Sequence, residues 1–176
     1  SMKKDSGRCA VVMPQGVLFH GGKEGEIRKQ LIESDKLEAV ITLVGGVFYG
    51  AGVSACILYL NNQKASSHRG KICMIDASTI YTPKRAQNIM TEEDIARVYQ
   101  LWQGYENVID YSAVVDLDTI REKDYTLSVN SYIEKTQAPT ISPTEVRKQF
   151  MAALAEVKAA EEELTRLLME GGYIHG

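Results

Sequence analysis

Apolar residues in the first 78 positions are gathered into four short runs: 8–14 (RCAVVMP), 38–44 (EAVITLV), 54–62 (SACILYLNN) and 71–77 (KICMIDA). Runs of this length, rich in valine and isoleucine, read as strands, and all fall far short of the roughly 18 apolar residues that a membrane-spanning helix needs. RCAVVMP is apolar throughout and ends at Pro14, so it is expected to be buried on both faces inside a sheet. Between the first two runs, EIRKQLIESDKL sets Ile27, Leu31 and Ile32 at helical spacing, with Glu24 and Glu26 near the first turn. Strand, helix, strand makes one βαβ-like unit of an α/β sheet. The polar loop QKASSHRG between the last two runs is short enough for an antiparallel hairpin.

The remainder is more helical. TEEDIARVYQLWQGY is expected to be a helix with Thr91 as N-cap, Asp94 closing a capping box, and Ile95, Val98 and Trp102 on one face. SAVVDLDTIREKDYTLSVNSYI mixes a short strand, a helical turn and an extended stretch. After the proline-punctuated QAPTISP, Ser142 or Thr144 can cap a long helix stopped by Gly171 and Gly172. Along it Phe150, Leu154, Val157, Glu161, Leu164 and Leu168 step by 4, 3, 4, 3 and 4, a heptad seam that wants a partner helix.

Charge is unevenly shared. Residues 1–90 hold 12 Lys/Arg and 7 Asp/Glu, against 8 and 16 in residues 91–176. A basic first half suits a polyanionic partner. Cys9, Cys56 and Cys73 each lie in an apolar run with no C-x-x-C spacing, so they read as reduced core residues, and no metal site is expected. No leader is visible, and the chain reads as soluble and cytoplasmic, with no membrane partner. Ser1 ahead of Met2 is read as a cloning remnant.

Gly50-Ala51-Gly52-Val53-Ser54-Ala55 has G-x-G-x-x-[GA] spacing, the pattern of a dinucleotide-binding turn. Such a turn works only if a helix starts at its end and aims its N–H groups at phosphate. Here CILYLNN follows, which reads as a strand. A nucleotide-dependent enzyme using 50–55 is therefore the weakest reading. Gly45, Gly46, Gly50 and Gly52 instead shape a loop between two strands with Phe48 and Tyr49 at its tip, where an aromatic can stack on a flat ligand. The other glycine loop, FHGGKEGEIRK, precedes a helix but lacks the G-x-x-x-x-G-K-[ST] form. Its Lys23 and His20 are candidate contacts for an anion.

The run GRCAVVMPQGVLFHGGKEGEIRKQLIESDKLEAVITLVGGVFYGAGVSACILYLNN, followed by GKICMIDAS, QNIMTEEDI and DYTLSVNSYI, resembles the C-terminal part of the modification subunit of type I restriction-modification systems, an adenine-N6 DNA methyltransferase. The likeness covers about residues 7–133, and residues 143–170 resemble that subunit's C-terminal helix in position and kind only. It implies part of a Rossmann-like methyltransferase sheet, methyl transfer from S-adenosylmethionine to a flipped adenine, Phe48 with its neighbour Tyr49 in the target-base pocket, and a helix that docks on the DNA-specificity subunit. DNA, with Lys23 and His20 as candidate contacts, and the restriction subunit are the other partners implied.

The departures are as informative. The family's cofactor turn and its Asn-Pro-Pro-[Tyr/Phe] motif lie upstream of the matched region, and no Asn-Pro-Pro occurs here. The chain is therefore expected to be a fragment with no catalytic or cofactor-binding residue of its own, inactive alone and not expected to bind the cofactor. The organisation implied is 7–78 partial methyltransferase domain, 79–137 helical and irregular extension, 138–143 linker, and 144–170 partner-binding helix with Phe150, Leu154, Val157, Leu164 and Leu168. An uncovered sheet edge, or that helix, would favour a homodimer. The alternative is a non-catalytic interaction module working through the helix.

Overall fold

A computed structural model describes residues 2–48, 52–85, 87–136 and 142–173. Two compact units divide the chain, Ser1–Thr136 and Gln137–Gly176. In the first, β1 (Arg8–Pro14), α1 (Gly22–Glu33), β2 (Leu37–Leu43), β3 (Ala55–Asn61) and β4 (Lys71–Ala77) are followed by the two-residue strands β5 (Thr82–Pro83) and β6 (Asn88–Ile89). Then come α2 (Glu92–Gly104), β7 (Ser112–Asp116) and α3 (Leu117–Glu122). The main sheet has the order β1-β3-β2-β4-β7. β2 and β4 pair in parallel, whereas β3 is antiparallel to both its neighbours and β7 is antiparallel to β4.

Both faces of the sheet carry a core. On one, Val40, Cys56, Ile72, Met74 and Val115 pack with Ile32 of α1 and Ile120 of α3. On the other, Ala39, Leu43, Cys73 and Ile75 pack with Val98 of α2. A fully buried aliphatic side chain in such a layer contributes about 1.5–3 kcal/mol. β4, 0% exposed at each residue from Ile72 to Ile75, is the best-covered strand.

The hairpin expected from β3 and β4 does not form, because β2 lies between them. Asp35, just before β2, organises the crossing: its carboxylate accepts from Lys64 Nζ at 2.6 Å and from Gly70 N at 3.0 Å, anchoring the β3–β4 connection over the start of β2. Likewise β1 and β2 run in the same direction across α1, but β3 separates them.

β1 is also not interior. It is the edge strand, and its residues alternate between exposed and half-buried. Its apolar run has no neighbour beyond it, so Val12 stands 50% exposed. Between α2 and the outer strands lies an open apolar groove of about 420 Å³ lined by Ala10, Ile57, Tyr59, Ile95, Tyr99 and Trp102.

In α1 the stripe differs by one position. Ile27 is 65% exposed, and Arg28 takes the inward place beside Ile32. A buried guanidinium needs its donors satisfied, and Arg28 donates to the carbonyls of Tyr125, Val17 and His20 at 2.8–2.9 Å. α2 has the expected capping box, Thr91 Oγ1 accepting from Asp94 N and Asp94 Oδ2 from Thr91 N.

The second unit is α4 (Pro143–Glu170), capped by Ser142, whose hydroxyl accepts from Glu145 N at 3.1 Å. Phe150, Leu154, Val157 and Leu164 are exposed and Leu168 is half-buried. Arg166 pairs with Glu163 and Glu170. Residues 137–141, and with them most of the 138–143 linker, lie outside the described residues.

Candidate functional site

β1, β2 and β4 run parallel, so their carboxyl ends, together with the start of β3, gather at one end of the sheet. In open α/β sheets ligands sit outside these strand ends. A cleft of about 210 Å³ opens there between Gln15, Phe19, Gly45, Ser54, Asp76 and Asn130.

Gln15 ties the strand ends together. Its Nε2 donates to Leu43 O at 3.3 Å and Ala55 O at 3.4 Å, and its backbone N donates to Ser54 O. Asp76, 4% exposed, forms the floor. It accepts from Lys135 Nζ at 2.6 Å, Ser78 N at 3.0 Å and Thr42 Oγ1 at 3.2 Å. Burial alone would raise its pKa, but the hydrogen bonds from Lys135 and Ser78 outweigh it and hold the carboxyl below the usual range. Asp76 is thus an ionised structural anion that ties Thr42, Ser78 and Lys135 together at the base of the cleft.

The glycine loop leaves β2 at this end. Gly46 sits at φ +76, which a side chain would strain, and a Cβ on Gly45 would come within 3.1 Å of Gly52 O. Three successive carbonyls are gripped from outside: Asn88 Nδ2 donates to Gly45 O at 2.8 Å, Asn88 N to Gly46 O at 3.2 Å, and Gln87 Nε2 to Val47 O at 2.5 Å. The β5–β6 hairpin presents both donors. The loop is thereby fixed up to Phe48, which is 41% exposed. Tyr49, Gly50 and Ala51 lie outside the described residues, and nothing approaches within 4 Å of a Cβ on Gly52.

The segment after Ala55 is strand β3, not a helix, which removes the cofactor-turn reading of 50–55. At α1 the helix begins at Gly22, with Lys23 exposed and His20 Nδ1 3.1 Å from Glu24 Oε2. Phe19, unread in the sequence, is 56% exposed and meets the His20 ring edge-on at 5.1 Å. It is the aromatic that lines the cleft, Phe48 standing on the glycine loop that leaves the cleft at Gly45. Gln87, Asn88, Gln15 and Lys135 were also unread, because each acts through contacts 28–59 residues away. Among the described residues no group of three or more His, Cys, Asp and Glu is placed to hold a metal ion, and no helix is long and apolar enough to cross a membrane.

The N-6 DNA Methylase family model matches residues 1–140. The chain belongs to that family. Its similarity to type I restriction enzyme methylase subunits extends over most of its length. It is 33% identical to the MjaVII methylase subunit of Methanocaldococcus jannaschii over 96% of this chain and 29% of that protein. It is 31% identical to the HindI methylase subunit of Haemophilus influenzae, over 73% and 30% respectively. The type I restriction-modification methyltransferase subunit of Streptococcus thermophilus superposes with a TM-score of 0.70 at 30% identity, over 75% of this chain and 28% of that one. This N-6 DNA methylase chain therefore spans under a third of the length of these relatives.

Proposed function

We propose that the chain is part of the modification subunit of a type I restriction-modification system, a methyltransferase that moves a methyl group from S-adenosylmethionine to the N6 amine of adenine in DNA. Phe48 carries the reading: an exposed ring on a loop gripped by three hydrogen bonds, at the end of the sheet where such folds hold ligands. A ring so presented can stack on a base turned out of the duplex, worth about 1–3 kcal/mol. Lys23 and His20, at the exposed start of α1, serve as DNA contacts in this reading.

The residues present do not fit the methyl donor. Segment 50–55 runs into a strand, and no Asn-Pro-Pro triplet is in the sequence to accept the amine's hydrogens. No transfer step is assigned to this chain alone. Residues 7–78 then act as part of a Rossmann-like sheet and 79–137 as its extension. Past the 138–143 linker, 144–170 docks on the specificity subunit, with the restriction subunit completing a cytoplasmic assembly.

Calorimetric titration with S-adenosylmethionine is expected to give no heat, and micromolar binding would overturn the fragment reading. Mixed with the preceding portion of a type I methylase subunit, the chain is expected to support methylation of adenine, and Phe48→Ala to slow it roughly 10- to 100-fold. An unchanged rate would remove Phe48 from the base pocket. The exposed seam of α4 favours a second reading, a non-catalytic interaction module. Leu154→Asp with Leu164→Asp is expected to abolish any helix-mediated association, and unchanged mass would mean the seam is not the interface.

A further inference from the structure

At the end of the sheet away from Phe48, roughly 20 Å along the seven-residue strands, a pocket of about 330 Å³ is lined by Lys4, Lys36, Lys64 and Arg69, with Asp35 and Asn62. Four cations meet one carboxylate. That carboxylate is spent, one oxygen on Lys64 and the other on Gly70 N. Lys64, buried, is spent on Asp35 and Lys71 O.

Two of the neighbouring acids at this end are engaged, whereas Asp5 beside Lys4 and Asp116 opposite Lys71 are in none of the ion pairs. Glu38 accepts from Asn61 Nδ2 at 2.8 Å and lies 2.8 Å from His68 Nδ1, while Glu33 is bound by Arg121 and the Tyr125 hydroxyl. Among the described residues no carboxylate is within ion-pair distance of Lys4, Lys36 or Arg69. Three cations without an ion-pair partner thus line one concavity. Asn62 is held at the rim, its Nδ2 donating to Lys3 O at 2.7 Å, which fixes the segment that carries Lys4 beside the β3–β4 connection.

We propose that this pocket binds a phosphate group, separately from the target-base loop. The three free cations supply charge-assisted donors to its oxygens. The site is independent of the base-stacking reading, which concerns the other end of the sheet.

The test is titration of the full chain with inorganic phosphate, following the amide resonances of Lys36, Asn62 and Gly70, and in parallel with a 20-base-pair duplex at two salt concentrations. Phosphate is expected to move these resonances. Lys36→Gln with Arg69→Gln is expected to weaken binding at least about tenfold, the loss of one charge-assisted hydrogen bond, whereas Lys84→Gln with Arg85→Gln leaves it unchanged. Duplex binding that falls with salt and is lost in the same double variant would identify a nucleic-acid backbone as the source. Phosphate binding alone would identify a free phosphate or monoester. No shift with either probe, or binding that survives the double variant, would overturn the proposal.

Discussion

The two edges of the main sheet are finished differently. On β7 the first outward backbone groups are already used: Val108 and Ser112 exchange N–H and C=O at 2.9 Å, and Val114 N donates to Asn107 Oδ1 at 2.7 Å. On β1 the register bonds the odd-numbered residues to β3, since Gln15 N donates to Ser54 O and Asn62 N to Gly7 O. The N–H and C=O of Arg8, Ala10 and Val12 are thereby turned outward. A loop that folds back over an outer strand blunts it against further pairing, as natural sheets do at a permanent boundary. An outer strand that is apolar after Arg8 and flanked by an open apolar groove is built like the interior of a larger sheet. That contrast agrees with a chain that spans under a third of its relatives' length.

The largest test of this contrast compares centre with margin. Ile75→Ala, in the buried β4, is expected to cost about 2–5 kcal/mol in urea unfolding, while Val12→Ala on β1 costs under about 1 kcal/mol. A large loss at Val12 would mean that the β1 margin is already covered. Next, Asn107→Ala is expected to cost about 0.5–1.5 kcal/mol and to raise the sedimentation-derived mass by freeing a donor on β7. An unchanged mass would show that Asn107 does not guard that edge. Val12→Lys should leave stability within about 0.5 kcal/mol while suppressing any self-association through β1, and unaltered oligomers would place contact elsewhere.

A thiol reagent should separate the strands without mutation. Burial pushes the Cys56 thiol up to about 11 and the Cys73 thiol up to about 12, so both stay inert while half-buried Cys9 on β1 is labelled. Equal labelling of all three would contradict the packing. The smallest effect concerns the surface clasp between α1 and α3. Hydrogen bonds from Arg121 and Tyr125 lower the Glu33 carboxyl from 4.5 to about 2. A depressed folded-state value contributes stability above pH 4.5 that is lost as pH falls toward about 2. Arg121→Gln should flatten that acid-side decline, and an identical acid titration would dismiss the clasp.

Much of this was legible in the residues. Strand runs, the α2 capping box and the Ser142 cap follow from short-range rules, and their elements formed as read. What failed were statements about neighbours. RCAVVMP carries the pattern of an interior strand, but which strand lies beside it is decided by the rest of the fold. The β3–β4 loop has hairpin length, yet Asp35 diverts it across β2 through contacts 29 and 35 residues apart. Arg28 displaced Ile27 because three distant carbonyls converge on its guanidinium. At the candidate site the glycine loop was readable from spacing, whereas its clasp by Gln87 and Asn88 spans about 40 residues and left no local periodicity.

The insertion of β3 between two strands that precede it has a consequence for assembly. Until residues 55–61 are available, β1 and β2 have a strand-wide gap between them and no ladder to zip. β3 follows β2 directly in the chain and pairs with it antiparallel, so that more local ladder can close first and offer its free edge to β1, which joins the sheet last.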